Sequence, residues 1–402
     1  MKEKTRAMES SANPIPAAKK ALPRVASRAA DEWFLHNAPA QADLLPLRPY
    51  PPLQLPAHVT QAAVEAASHP KSAPSRGLLS LRQAIAASLE TSLGIVINPD
   101  EQIIVTNGGN NALHVVLLSL LEPGDEVIAP APCYFLDGLV LGLGAKLSFV
   151  PMDEKAGFQW DIERIERAIT KRSRILFLNT PHNPTGRVLA REELEQIGRL
   201  AARHNLWILS DESYERLTFD GREHVSPLAV PECRDRTVMV RSFTKSFVMA
   251  PWRVGYIVAD AELTNEFLKT SEWIHLYVNH VCQAAAAAAM SGPQEWLANA
   301  AALLQVNRDR VIAALRADSV LTCVEPQGGP FIFPNVSGTG VSGDEFAALL
   351  SRGLGVSATA GSALQSPPNI RIPIGASPEV IGRLLERIQT AVEQTMDRVG
   401  AK

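Results

Sequence analysis

Arg174-Ile-Leu-Phe-Leu-Asn-Thr-Pro-His-Asn-Pro-Thr-Gly186, the helical stretch Arg191–Arg203 and then Trp207-Ile-Leu-Ser-Asp-Glu-Ser-Tyr214 make up the passage on which the fold turns. Arg174–Leu178 and Trp207–Ser210 are short apolar runs of strand length, and the segment between them repeats its apolar residues near one helical face. Two strands joined through a helix run parallel, because that crossover brings the chain back to the same edge. Working outward, further strands are expected at Gln102–Thr106, at Glu126–Ala129 after the turn Glu122-Pro-Gly-Asp125, at Lys146–Val150 and at Thr237–Val240. Short apolar strands alternating with helices predict a mostly parallel sheet with both faces covered.

Toward the N-terminus the pattern breaks. Leu45-Pro-Leu-Arg-Pro-Tyr-Pro-Pro-Leu-Gln-Leu-Pro56 is too proline-dense for a helix or a central strand, so it reads as an extended strap over the surface. Residues 1–30 are rich in Lys, Arg, Ala and Ser, but Glu3 and Glu9 interrupt the basic character and no apolar segment follows. An arm is expected there rather than a targeting sequence. Toward the C-terminus, the run Ala284–Ala289 reads as part of a helix whose alanines let neighbouring backbones approach closely. A strand pair is expected around Leu321–Val324 and Pro330–Pro334, and a final helix from Pro378 to about Val399. The expected division is an arm and strap at 1–56, a large domain at 57–300 and a smaller α+β domain at 301–402.

Bulk composition narrows the function classes. The 402 residues carry 39 Lys+Arg against 42 Asp+Glu, a formal net charge of −3, which leaves no electrostatic footprint for nucleic acid or an anionic membrane. No stretch reaches the roughly 18 apolar residues of a membrane helix. Cys133, Cys233, Cys282 and Cys323 are scattered, without a CxxC pair or histidines at ligand spacing, so reduced thiols, a cytoplasmic chain and no metal are expected.

Four clusters stand at the ends of expected strands, where open α/β sheets bind ligands. Thr106-Asn-Gly-Gly-Asn-Asn-Ala-Leu113 precedes a helix read to start at Ala112; such a glycine pair is either a plain turn or a seat for an anion at a helix N-terminus. Asn179–Gly186 is either a rigid turn or a loop that aims the Asn183 amide. Asp211-Glu-Ser-Tyr214 puts a carboxylate on a strand end, as a helix N-cap or as a ligand group. Arg241-Ser-Phe-Thr-Lys-Ser246, with Trp252-Arg253 downstream, gathers two hydroxyls and two cations; a lone lysine there is more often solvated surface than a nucleophile.

Together, in this order, the clusters resemble the fold type I, class I/II aminotransferases that use pyridoxal 5′-phosphate (PLP). The resemblance covers about residues 45–395 and also rests on Gly77-Leu-Leu-Ser-Leu-Arg82 and Asn369-Ile-Arg-Ile-Pro373. It implies a three-layer α/β/α large domain with a mostly parallel sheet and a smaller α+β domain. It implies that Lys245 is the Schiff-base lysine and that Asp211 pairs with the pyridine nitrogen. Asn183 and Tyr214 would hydrogen-bond the ring's 3′-oxygen, and Gly109, Asn110, Ser242 and Arg253 would grip the phosphate. Tyr134 would stack on the ring, and Arg371 would clamp the substrate α-carboxylate. The activity implied is amino transfer between an L-amino acid and a 2-oxo acid, by a homodimer.

Three positions depart from the family pattern. Pro49, in Leu47-Arg-Pro-Tyr-Pro51, stands where a glycine usually offers an N–H; Ser72 replaces a tyrosine; Pro251 replaces a small residue before Trp-Arg. These changes bear on substrate recognition, with Arg48 or Tyr50 reshaping the wall. A C–S lyase, cyclase or oxidase on the same scaffold could use the same lysine, aspartate and arginine. A regulator carrying such a domain behind a helix-turn-helix is disfavoured, because residues 1–56 are proline-rich and lack two helical patterns.

Overall fold

Seven strands make the central sheet: β1 (Ile103–Thr106), β2 (Glu126–Ala131), β3 (Lys146–Pro151), β4 (Ser173–Asn179), β5 (Trp207–Asp211), β6 (Thr237–Ser242) and β7 (Gly255–Val258), in the order β1-β7-β6-β5-β4-β2-β3. The structure is a computed structural model and describes residues 43–134, 136–318 and 320–400; the arm expected at 1–30 lies outside the described residues. β2, β3, β4, β5 and β6 pair in parallel, while β7 runs antiparallel to both β6 and β1. All six expected strands form. The seventh, β7, is absent from the sequence expectation; its run Gly255-Tyr-Ile-Val258 opens on a glycine, which strands disfavour.

Burial explains why these runs are strands. Ile103 and Val105 pack into one core with Met239, Tyr256 and Val258, while Ile104 and Ile257 face another with Val127, Phe177 and Leu209. Side chains alternate across a strand, so apolar residues at successive positions require a cover on both faces. The covering helices include α1 (Ala57–Ser68), α2 (Leu79–Leu93), α3 (Gly109–Leu120), α4 (Arg191–Arg203), α5 (Ala261–His275) and α6 (His280–Ser291). The alanine run lies in α6, where Ala285, Ala286 and Ala289 are buried in the core that α1 and α2 share. α3 begins at Gly109 rather than Ala112, which places Gly109 and Asn110 in its first turn.

A second sheet joins β8 (Phe331–Ile332), β9 (Thr359–Ala360) and β10 (Ile370–Pro373) in the antiparallel order β8-β10-β9. It is covered by α7 (Glu295–Asp318) and α8 (Pro378–Gly400). The strand pair expected at 321–324 and 330–334 shrinks to an isolated Thr322–Asn335 bridge, and β8 pairs with β10 instead. Pro330 and Pro334 have no N–H for a ladder, but their carbonyls accept from Ile374, just past β10, and from Ile370 on it. α7 continues unbroken through residue 300: Leu297 belongs to the core beneath the seven-stranded sheet, and Leu304, Val311 and Leu315 to the core of the smaller one.

The strap from Leu45 to Pro56 contains neither helix nor strand, as its prolines require. It is fixed by Leu45 N–H donating to Gly355 O at 3.0 Å and by a two-bond bridge between Arg48 and Gly375. Leu45 is buried in the smaller core.

Candidate active site

β1, β4, β5 and β6 end at one edge of the large sheet, and the parallel register fixes which residues meet there. Asn179 pairs with Asp211, and Asp211 with Val240. Asn179 Nδ2 donates to Asp211 O at 2.9 Å, and its Oδ1 accepts from Asn183 N–H at 2.7 Å. One strand-end side chain thus ties the β4 loop to β5. The loop then aims Asn183 Nδ2 at the Tyr214 hydroxyl, 3.1 Å away, while Asn183 Oδ1 accepts from Arg371 Nη1 at 3.2 Å. Arg371, Asn183 and Tyr214 form a continuous chain from the small sheet to the large one.

Asp211 sits at the base of the cavity. Burial pushes its carboxyl up to about 6, against the pull of the Ser213 hydroxyl and amide; that hydroxyl donates to Oδ1 at 2.6 Å. Its neighbours Glu212 and Glu215 raise it further. Glu212, one residue on, is fully buried, and burial alone would raise it too. Instead Arg241 at 2.8 Å, with His224 and Ser226, holds it at about 2. The two adjacent carboxyls therefore differ sharply: Glu212 is neutralised inside the fold, whereas Asp211 is short of positive charge.

A cradle of anion-binding character lies where β1 turns into α3. Gly108 adopts φ +84°, and a Cβ there would lie 2.6 Å from Arg253 Nη2. A Cβ on Gly109 would come within 3.2 Å of the Ser242 Cβ. Glycine is needed at 108 both for the backbone angle and for the guanidinium's approach. The first turn of α3, the Ser242 hydroxyl and Arg253 thus converge on one part of the cavity. Arg253 is held by donating to Ala250 O at 3.0 Å and Thr244 Oγ1 at 3.3 Å.

Lys245 follows Ser242 on a short helical turn, Phe243–Ser246. It lines the same cavity, of about 210 Å³, as Gly109, Asn110, Tyr134, Asn183, Asp211, Tyr214, Ser242 and Arg253. Nine of the ten sequence-derived site residues therefore share one lining. Arg371 stands at its margin, its guanidinium 4.1 Å from the Tyr134 ring centroid and 4.5 Å from that of Phe331. Its Nη2 donates to Thr359 Oγ1 at 3.1 Å, and its buried Nε has no hydrogen-bond partner among the described residues.

These features meet what PLP requires of a site. A carboxyl whose ionised form burial disfavours gains from a cationic ring nitrogen brought against it. A glycine cradle with an arginine suits a phosphate, and a lysine within the same cavity suits an imine.

The family model for aminotransferase class I and II matches residues 50–388. The chain belongs to that family. It is 35% identical to the arginine–pyruvate transaminase AruH of Pseudomonas aeruginosa, over 91% of this chain and 95% of that one. It is 32% identical to an aspartate aminotransferase of Streptomyces avermitilis, over 86% and 88% of the two chains. The solved aspartate aminotransferase of Thermus thermophilus with maleate superposes with a TM-score of 0.88 at 30% identity, covering 94% of this chain and all of that one.

The protein is an aminotransferase, and the lyase, cyclase and oxidase alternatives lose their footing. As in any aminotransferase, recognition depends on supports as well as reacting groups, and several supports escaped the sequence reading. Ser213 was within reach, because a serine two residues after an aspartate commonly donates back to it. Phe331 and Thr359, which orient Arg371, lie 40 and 12 residues from it and carry no motif. Cys133 also lines the cavity; burial pushes its thiol up to about 12, so it stays protonated.

Proposed function

We propose that this aminotransferase holds PLP on Lys245 and exchanges amino groups between an L-amino acid and a 2-oxo acid. The observation that carries the proposal is the convergence of Lys245 and the Asp211 carboxyl, raised by burial, in one cavity, with Arg371 linked to it through Asn183. Asp211 would pair with the ring nitrogen, Tyr214 and Asn183 with the ring oxygen, and Gly109, Asn110, Ser242 and Arg253 with the phosphate. Tyr134 would lie against the ring. When bound, the cofactor supplies an electron sink for the negative charge that develops at the substrate's α-carbon.

The chain's own residues do the rest. Arg371 receives the α-carboxylate on a guanidinium already sandwiched between Tyr134 and Phe331, so little side-chain freedom is lost on binding. With the cofactor bound, Lys245 Nζ, once freed by the incoming amine, would be placed to take the α-proton and pass it to a second carbon, the net shift that amino transfer requires. The Asn183 bridge couples the carboxylate clamp to Tyr214, so substrate binding and the ring-oxygen contacts respond to each other.

A homodimer in the cytoplasm is the proposed form. Trp273, 94% exposed, stands with Leu276 and Tyr277 on an apolar surface at the end of α5 that a second copy would cover. Light scattering of the purified protein at micromolar concentration reads the mass directly, and a monomer there ends the dimer proposal.

The deciding experiment is a visible spectrum of purified protein titrated with individual amino acids, alongside Lys245→Ala. A cofactor band that bleaches with one donor, with stoichiometric release of its 2-oxo acid, is the expected result. Lys245→Ala that still retains the cofactor covalently overturns the lysine assignment.

A further inference from the structure

Among the described residues, the strap contributes one aromatic ring to the neighbourhood of the reacting amine. The Tyr50 ring centroid lies 5.5 Å from Lys245 Nζ, within cation–π range. We infer that Tyr50 is a positioning residue for Lys245: its ring face holds the nitrogen in place and favours the state in which that nitrogen carries a proton. The inference deepens the proposed role of Lys245 and rests on it.

The ring is ordered by its backbone. Arg48 N–H donates to Gly375 O at 3.1 Å, and Gly375 N–H returns a bond to Arg48 O at 3.0 Å. A Cβ on Gly375 would lie 2.1 Å from Tyr50 O and 2.4 Å from Arg48 O, so only glycine lets the strap lie this close. Pro49, Pro51 and Pro52 fix φ on either side of Tyr50 and remove its neighbours' alternatives. Gly375 is four residues beyond Arg371, so one stretch of chain carries the carboxylate clamp and seats the strap that bears the ring.

The chemistry follows from the sign of the ring's quadrupole. When Nζ takes the α-proton it becomes an ammonium, and an aromatic face stabilises that cation without forming a bond that must later break. The other charged or titratable groups around Nζ are Asp211, Tyr214, Tyr134, Cys133 and Arg253, which line the same cavity, and Arg48, whose guanidinium is 6.0 Å from the Tyr50 ring. Arg48 shares the ring's electron density with Lys245. The proton moves from the substrate's α-carbon to Nζ and from there to a second carbon, and no oxidant or reductant enters.

The test compares Tyr50→Leu, which keeps bulk and removes the ring face, with Tyr50→Phe, which keeps the face. In the resting holoenzyme the pH titration of visible absorbance reports protonation at the nitrogen that Lys245 supplies. Tyr50→Leu should move its midpoint to lower pH by about half a unit or more, and Tyr50→Phe should leave it in place. In single-turnover reactions with an amino-acid donor, Tyr50→Leu should lower the maximal rate about tenfold with the half-saturating concentration nearly unchanged. An unmoved midpoint in Tyr50→Leu overturns the inference, and so does Tyr50→Phe behaving like Tyr50→Leu. Either result leaves the cofactor's attachment to Lys245 standing, because only Lys245→Ala tests that.

Discussion

Asp211 and Glu212 are neighbours in sequence and opposites in charge balance, and a pH experiment separates them. The folded value of Asp211, about 6, lies above that of a carboxyl in an unfolded chain. Its contribution to the stability of cofactor-free protein is therefore complete below about pH 4 and is lost as pH rises through 6. Asp211→Asn has no such loss. The melting temperature of the variant relative to the parent should rise between pH 4 and pH 7, and a constant difference would refute the burial argument. Arg371→Lys addresses the clamp: an ammonium cannot reproduce a planar fork stacked between two rings, so kcat/KM for amino acids should fall by about 100-fold. Steady-state kinetics with the donor that bleaches the cofactor band measure this. At this scale the sequence was informative wherever chemistry is local. Lys245, Asp211, Asn183 and Arg253 each sit in a short motif at a strand end. The sandwich around Arg371 was illegible, because Phe331 and Thr359 reach it through the three-stranded sheet rather than along the chain.

Strands and helices place those residues, and one close contact between elements carries a large share of the placement. Gly255, the first residue of β7, pairs with both Thr106 and Ser242. A Cβ there would lie 2.7 Å from Gly108 C and 2.8 Å from Gly109 N. Gly255→Ala should push the β1–α3 turn outward, at an overpacking cost of about 1–3 kcal/mol concentrated on the anion cradle. Cofactor affinity should weaken roughly five- to hundredfold, as read by fluorescence titration of apoprotein, while the far-ultraviolet circular dichroism stays that of the parent. Periodicity found the parallel strands because each is a continuous apolar run covered on both faces. It missed β7, whose run opens on a glycine, a residue strands disfavour, and it overread 321–324, where Thr322 alone finds a partner in its bridge to Asn335. It also started α3 three residues late, since Gly109 and Asn110 are poor helix formers that its first turn nevertheless accepts.

On the scale of the molecule, the two sheets are fastened by a seam below the cavity. Phe219 N–H donates to Gln327 O at 2.9 Å and Gly329 N–H to Leu217 O at 2.7 Å. Arg308, 1% exposed, bonds both Asp220 oxygens, at 2.6 and 3.0 Å, together with Pro326 O at 2.7 Å. Arg308→Met should cost about 2 kcal/mol, less than a wholly buried pair because Asp220 keeps contact with water. Urea denaturation measures it, and an unchanged midpoint would show the seam to be energetically idle. Alternating strands and helices made the large sheet legible as a class, whereas the seam joins segments roughly 90 to 110 residues apart and left no trace in composition. α7 crosses from one core to the other without a break. That continuity governs how the protein can be recombined with its relatives. A chimera joined at residue 300 would splice two unrelated helical faces inside one 24-residue rod, and it should misfold. A crossover moved back to Ser291–Gln294, ahead of the helix, transplants α7 whole with the second sheet and Arg371, and makes that graft the sound route for exchanging specificity within the family.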